Sequence, residues 1–238
     1  MSYDLDELAG ARRLADWMFS QFRPLVADDS AEVGAGIGTF TEHLLGAGVE
    51  RLLLVEPDPE LAAELERRFG ADPRTELVRD SVPGSPTLAR DAGRFGFVLC
   101  QNVLEHVPDD EGAVAELAAA LRPGGVLGLL VPAHPRLYGS LDREYGHERR
   151  YTRERLQRLI AGAGLELVEL RSFNLLGVAG WWWKSRRGAS GLGHRSLRAY
   201  EALLPLWRPI ERLLRPRAGL SLIAVARRPP ASSAGQAR

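Results

Sequence analysis

Five short strand-like runs punctuate the first 131 residues, at 30–33, 51–55, 76–78, 95–100 and 126–131. Several are followed by segments whose large apolar residues recur at helical spacing: Phe40, Leu44 and Ala47, then Leu61, Leu65 and Phe69, then Val114, Leu117 and Leu121. A run such as Leu52-Leu53-Leu54-Val55 has no polar residue to turn toward water, so the strand it forms must be covered on both sides. Strands and helices alternating in this way build βαβ units and a parallel sheet. The pattern predicts an α/β, doubly wound fold.

The rest of the chain hangs on that frame. Leu5, Leu8, Leu14, Met18 and Phe22 predict an amphipathic helix within residues 1–24, ending before Pro24. After the fifth strand comes a polar, aromatic and basic connection, 133–150, long enough to be functional. A helix at 153–163 and a sixth strand at 165–170 follow. An insertion at 174–217 is rich in Trp, Arg and Leu, and its Pro205 and Pro209 are expected to break or kink any helix there. A seventh strand at 220–226 closes a single domain of residues 1–228, and the small, polar tail 229–238 reads as disordered.

Composition narrows the setting. One cysteine, Cys100, forbids an intramolecular disulfide and suits a reducing cytoplasm. The first residues are acidic where a secretory signal is basic, and no apolar stretch approaches the ~18 residues that span a bilayer. A soluble, cytoplasmic protein is expected. The zero net charge conceals an asymmetry: residues 1–135 hold 11 Arg against 23 Asp and Glu, while residues 136–238 hold 20 Lys and Arg against 8 acids. Two readings stand level, a second half facing something anionic or one balancing the first.

The most informative segment is Glu32-Val33-Gly34-Ala35-Gly36-Ile37-Gly38-Thr39, at the turn from the first strand into the first helix. Missing β-carbons there let a ligand approach the backbone at the switch point of the sheet. A dinucleotide fingerprint, G-x-G-x-x-G, would need glycine where Thr39 stands. A dinucleotide brings a pyrophosphate to the helix N-terminus, which favours anions, whereas S-adenosylmethionine has no phosphate and its cationic methionine end suits an acidic Glu32 at the loop, directly or through water. Glu56 ends the second strand, where a carboxylate can accept ribose hydroxyls, and Asp80 follows the third, placed to take an adenine amino group.

With Glu56-Pro57-Asp58, Asp80-Ser81, the run Gln-Asn-Val-Leu-Glu-His-Val at 101–107 and Leu121-Arg122-Pro123-Gly124-Gly125, these motifs resemble those of class I S-adenosylmethionine-dependent methyltransferases. The resemblance spans about residues 12–170 and the last strand. It implies a seven-stranded, mostly parallel Rossmann-like sheet whose final strand is antiparallel. It also implies a cofactor pocket formed by Glu32, Gly34, Ala35, Gly36, Gly38, Thr39, Glu56, Pro57, Asp58, Asp80, Ser81, Val82, Gln101, Asn102 and Val103. The stretches 137–142 and 146–152 are similar to a bacterial small-molecule branch of that family, some members of which are fused to or encoded beside glycosyltransferases.

Methyl transfer from a sulfonium needs alignment first, and a base only when the acceptor must lose a proton. His106, at the crevice mouth, and His147, among Arg143, Arg149, Arg150 and Tyr151, are the candidate catalytic residues. For His106 the structural role of pinning its loop is favoured; for His147 a base and a loop anchor weigh the same. Tyr138, Arg143, Arg149, Arg150 and Tyr151 are the candidate acceptor-binding residues, the arginines suited to a carboxylate or phosphate. Cys100 reads as a buried strand residue, and no Cys-His pattern calls for a metal.

The insertion can serve as a lid, an oligomer surface or a peripheral membrane contact; tryptophans packed in a flap over the sheet are preferred because of its prolines. Nucleic-acid methylation is disfavoured, since Cys100-Gln101-Asn102-Val103 stands where an Asn/Asp-Pro-Pro-Tyr signature would and the arginines are mixed with acids. The leading reading is methyl transfer to an O or N atom of a small molecule, with a sugar, a lipid-linked compound or a secondary metabolite as classes of acceptor. Its alternative is a non-catalytic module that binds S-adenosylmethionine or a partner.

Overall fold

The computed structural model describes residues 11–186 and 193–231. Residues 1–10 of the expected first helix, 187–192 of the insertion and 232–238 of the tail lie outside them. Seven strands, β1 (Asp29–Val33), β2 (Arg51–Val55), β3 (Thr75–Val78), β4 (Phe95–Gln101), β5 (Leu121–Pro132), β6 (Glu166–Phe173) and β7 (Ser221–Arg227), form one sheet in the order β3-β2-β1-β4-β5-β7-β6. The first five are parallel, and β7 pairs antiparallel with both β5 and β6. This is the doubly wound sheet with the reversed final strand.

Alternation along each strand feeds two cores. Leu53 and Val55 pack on one face with Val98, Cys100, Leu127 and Leu129. Leu52 and Leu54 pack on the other with Phe97, Leu99 and Leu130. The first core is covered by the helices Asp110–Ala120 (α5 in chain order) and Arg153–Gly162 (α7), the second by Arg12–Phe19 (α1), Thr39–Gly46 (α2) and Pro59–Phe69 (α3). Two short helices, Pro86–Arg90 (α4) and Ser140–Glu144 (α6), complete the frame of the domain.

The Pro123-Gly124-Gly125 turn lies inside β5 rather than ahead of it: Leu121 already pairs with Phe95, and the register shifts before Phe97 meets Val126. A β-carbon on Gly125 would stand 2.7 Å from the Phe95 carbonyl oxygen, so the bulge needs glycine.

The insertion forms a helical hairpin of α8 (Leu175–Arg186) and α9 (His194–Leu214). Helix α9 runs as one element through Pro205 and Pro209, so of the expected break or kink no break occurs. The carbonyl that Pro205 leaves without an amide partner, on Glu201, accepts instead from the Arg13 guanidinium at 3.2 Å. The Glu201 carboxylate in turn takes the Arg13 and Leu14 amides at 3.1 and 2.8 Å, capping α1, whose own N-cap residue Ala11 offers no side-chain acceptor. Glu211 caps α8 in the same way, accepting from the Asn174 and Leu175 amides at 2.6 and 2.9 Å and from the Trp207 indole at 2.8 Å.

Glu211 therefore holds the hairpin to the end of β6. Glu211→Ala would strand three donors, and each buried donor left without a partner costs about 1–3 kcal/mol. The expected result is a lower urea midpoint, with amide exchange in α8 accelerated more than in the central strands; unchanged exchange in α8 would show that the cap is dispensable.

Candidate active site

The five parallel strands release their carboxyl ends at one edge, and the loops there enclose a cavity of about 410 Å³, within the range of small-molecule sites. Its floor is the glycine loop. Gly34 (φ +76°) and Gly36 (φ +57°) both take the left-handed conformation. A β-carbon on Gly34 would fall 2.2 Å from Cγ2 of Val103, so only glycine lets the loops after β1 and β4 meet. The Gly36 amide donates to the Glu56 carboxylate at 2.7 Å, and the Asp58 amide donates to its other oxygen at 3.0 Å. Burial raises the Glu56 pKa against the opposing pull of these amides.

After β4 the chain turns at Asn102, a non-glycine residue with φ +51°, which asparagine tolerates better than most residues. The short helical turn Leu104–His106 then presents Glu105 and His106. Glu105 is fully buried, and neither carboxylate oxygen has a hydrogen-bond partner among the described residues. Burial pushes it up to about 8. His106 donates from Nδ1 to the Gly146 carbonyl at 3.2 Å, and burial and the neighbouring His147 lower its pKa.

The connection after β5 brings His147 beside His106, ring centroids 4.9 Å apart and edge to face. His147 Nδ1 bonds the Asp142 carboxylate at 2.9 Å, and Arg150 Nε bonds the same oxygen at 2.7 Å. Burial would raise the Asp142 pKa, but the His147 bond and the Arg150 cation outweigh it and hold the carboxyl below its usual range. Nε2 of His147 is left without a partner among the described residues. One ligand atom each from Glu105, His106 and His147 lies within 4.8 Å of the others, near enough to share a cation. The expectation of no metal rested on cysteine patterns, which do not register a group assembled from two separate loops.

The hairpin supplies the roof. Trp181, Lys184, Leu197 and Tyr200 line the cavity from above, with Leu14 and Met18 of α1 at its side. Trp181 is buried, takes the Arg150 guanidinium over its ring at 4.6 Å and meets Tyr145 edge-on at 5.8 Å. Trp182 and Trp183 are instead exposed, so the expected packing of the tryptophans holds for one of three.

Of the residues expected around a cofactor, Gly34, Gly36, Glu56, Pro57, Asn102 and Val103 line the cavity. Glu32 is buried behind the loop, where the Thr41 hydroxyl donates to it at 2.6 Å and burial pushes it up to about 8; direct contact with a ligand is not what this geometry offers. Asp80 accepts from the Ser85 hydroxyl and the Thr87 amide at 2.7 and 3.1 Å. Asp58 caps α3, Thr39 begins α2, and Val82 belongs to the core. Ala35, Gly38, Ser81 and Gln101 also stand off the wall. Gln101 keeps both amide atoms buried and without partners among the described residues.

The expected acceptor residues need correction. Tyr151 is fully buried, its hydroxyl 2.9 Å from both the Leu104 carbonyl and Asp110. Arg149 is taken up by the Val107 and Pro108 carbonyls, Arg143 is exposed away from the cavity, and Tyr138 donates to the His147 carbonyl. Arg150 touches the cavity but is committed to Asp142 and the Ala133 carbonyl. Main-chain carbonyls and buried acids, invisible in sequence, take up Tyr138, Arg149, Arg150 and Tyr151. The cavity residues missed, Trp181, Lys184, Leu197 and Tyr200, lie in the insertion flagged only as a lid among other roles.

With this geometry in place, one family model matches over half of the chain, and solved structures of low identity share its fold. The family model described as "Methyltransferase domain" matches residues 28–170. A ubiquinone biosynthesis O-methyltransferase of Bordetella avium is 32% identical over 96 residues, 40% of this chain and 38% of that protein. The matched stretch thus spans about two-fifths of that relative's length. Among solved structures, a methyltransferase from Bacillus halodurans described as putative is similar at 19% identity and TM-score 0.61, covering 91% of this chain and 98% of that one. The 1,6-didemethyltoxoflavin-N1-methyltransferase of Burkholderia thailandensis, solved with bound 1,6-didemethyltoxoflavin and S-adenosylhomocysteine, is similar at 21% identity and TM-score 0.57, covering 92% of this chain and 78% of that one.

Glu105 yields a pH-dependent stability test. Its folded pKa lies well above its unfolded value of 4.5, so folding is penalised progressively as pH rises through that interval and no further above about 8. Glu105→Gln removes the ionisation while keeping the shape. The variant's Tm relative to wild type should climb between pH 5 and pH 8.5, in differential scanning fluorimetry; a difference that does not change with pH would mean that Glu105 is already ionised in the fold.

Proposed function

The chain belongs to the class I S-adenosylmethionine-dependent methyltransferase family, and from that premise we propose that it binds S-adenosylmethionine over the glycine loop and methylates an oxygen or nitrogen of a small-molecule acceptor. The observation that carries the reading is Glu56 on the cavity wall, held by the Gly36 and Asp58 amides. Those amides leave lone pairs of its two oxygens for a pair of ribose hydroxyls. The fit extends further. Left-handed Gly34 and Gly36 leave main chain without side chains along the cavity floor, and Glu105 lines the same cavity.

Bound there, S-adenosylmethionine supplies an activated methyl group on a sulfonium. The protein's part is placement, exclusion of water and, for a hydroxyl or ammonium acceptor, removal of a proton. Asp142 fixes His147 through Nδ1, so that Nε2 is the basic nitrogen. Arg150, shared between Asp142 and the Trp181 ring, ties that dyad to the roof. An anionic acceptor would meet Lys184 rather than Arg149, whose charge is spent on carbonyls. An oxygen acceptor is favoured by the O-methyltransferase name of the Bordetella relative. A cytoplasmic setting fits the free, buried thiol of Cys100.

Calorimetry with S-adenosylhomocysteine tests the cofactor. Wild type should bind it, Gly36→Val should not, and Glu56→Ala should weaken it by about 1–3 kcal/mol, the scale of hydrogen bonds to a charged group. Tight NADH binding without a response to S-adenosylhomocysteine would overturn the assignment. Once an acceptor that must lose a proton is in hand, His147→Ala should lower kcat by about 10²–10⁴-fold with cofactor affinity kept. Asp142→Asn should impair kcat less. A wild-type kcat in both would remove the dyad from the chemistry, and cofactor binding without turnover of any acceptor would favour a non-catalytic module.

A further inference from the structure

Residues 174–217 hold nine Lys and Arg but two acids, Glu201 and Glu211. Both carboxylates are turned onto helix N-termini, as described above, so the charge this hairpin offers outward is positive. None of Arg195, Arg198, Arg212, Arg215 and Arg217 forms an ion pair among the described residues, and all five are exposed.

Helix α9 buries Leu204 and Glu211 against the domain, while Leu203, Leu206, Ile210, Leu213 and Leu214 are 51, 71, 44, 84 and 59% exposed. At the helical repeat those five occupy a single stripe about 100° wide, turned away from the buried side. Single exposed apolar residues are ordinary, but a continuous stripe is not. Helix α8 lies antiparallel beside α9, its start at Glu211 and its end near Gly193, and adds exposed Trp182 under the Arg186 guanidinium at 4.8 Å. A second copy docking symmetrically by this same face would bring arginine against arginine with no outward acid on the hairpin to offset it. Anionic headgroups would match both the stripe and its flanking cations.

We propose that the outer face of the α8–α9 hairpin docks on an anionic membrane surface, its aliphatic stripe below the headgroups and its arginines at their level. The inner face of the same helices roofs the cavity, so docking sets the cavity one helix layer from the lipid. An amphiphilic acceptor taken from the bilayer follows from that position; this last step rests on the methyltransferase reading, whereas docking does not.

The test is co-sedimentation of the full chain with vesicles of phosphatidylcholine alone and of phosphatidylcholine mixed with phosphatidylglycerol. Binding to the mixed vesicles only, weakened by salt, is expected. Leu206→Glu with Leu213→Glu should reduce it by about tenfold or more, with S-adenosylhomocysteine affinity and Tm retained. Arg198→Glu with Arg212→Glu should weaken it as well. No sedimentation with either vesicle, or equal binding to both, would overturn the proposal. So would a stable wild-type dimer in light scattering that the leucine variant dissociates, because the stripe would then be an interface between chains. Loss of cofactor binding in Gly36→Val with vesicle binding intact would leave docking standing, and absence of cofactor binding in the wild type would sink the catalytic reading alone.

Discussion

Parallel strands end on the same side, and this one constraint shapes everything functional in the molecule. The loops after β1, β2 and β4 must meet at that edge, and two contacts decide how closely. The bond from the Gly36 amide to Glu56 ties the first two, and the approach of Gly34 to Val103 ties the third. Each requires a backbone without a β-carbon or in the left-handed region, so the floor of the cavity is drawn in main chain rather than in side chains. Such a surface is rigid and suits a ligand that must lie flat along it.

Above that floor the structure spends buried charge. Asp142 and Arg150 are almost fully buried as a pair, and Asp110 is shared by Tyr151 and Arg155. Buried pairs of this kind contribute little net stability, because desolvation offsets their attraction. Their effect here is positional. They hold the connection after β5 against the turn after β4, so that His106 and His147 meet edge to face and Glu105 is buried beside them. Glu105 is the costly member, without a hydrogen-bond partner among the described residues and raised by burial. A group kept at such a cost in a cavity wall is a usual mark of a functional site.

The roof obeys a different rule. It is fastened by helix capping across chain segments: α9 lends one carboxylate to α1 and another to α8. The Pro205 gap is closed by Arg13 of α1, so the irregularity that should interrupt α9 becomes an attachment point. Inward the hairpin completes a cavity; outward it carries an aliphatic stripe that the domain does not cover.

Strand and helix alternation, the turn conformation of the glycine loop and the acid at the end of β2 were all readable in the sequence, because each follows from local periodicity or from the backbone freedom of a few consecutive residues. Those determined the sheet, its switch point and the edge at which the cavity opens. The acceptor side was not readable in this way. Arg149 and Tyr151 have the residue types of a binding site, yet carbonyls and acids from elsewhere claim them. Trp181 and Lys184 have the look of a surface insertion, yet they line the cavity. Whether a polar side chain faces a ligand or a neighbouring loop depends on which distant group reaches it first. Only packing of the whole chain settles that competition.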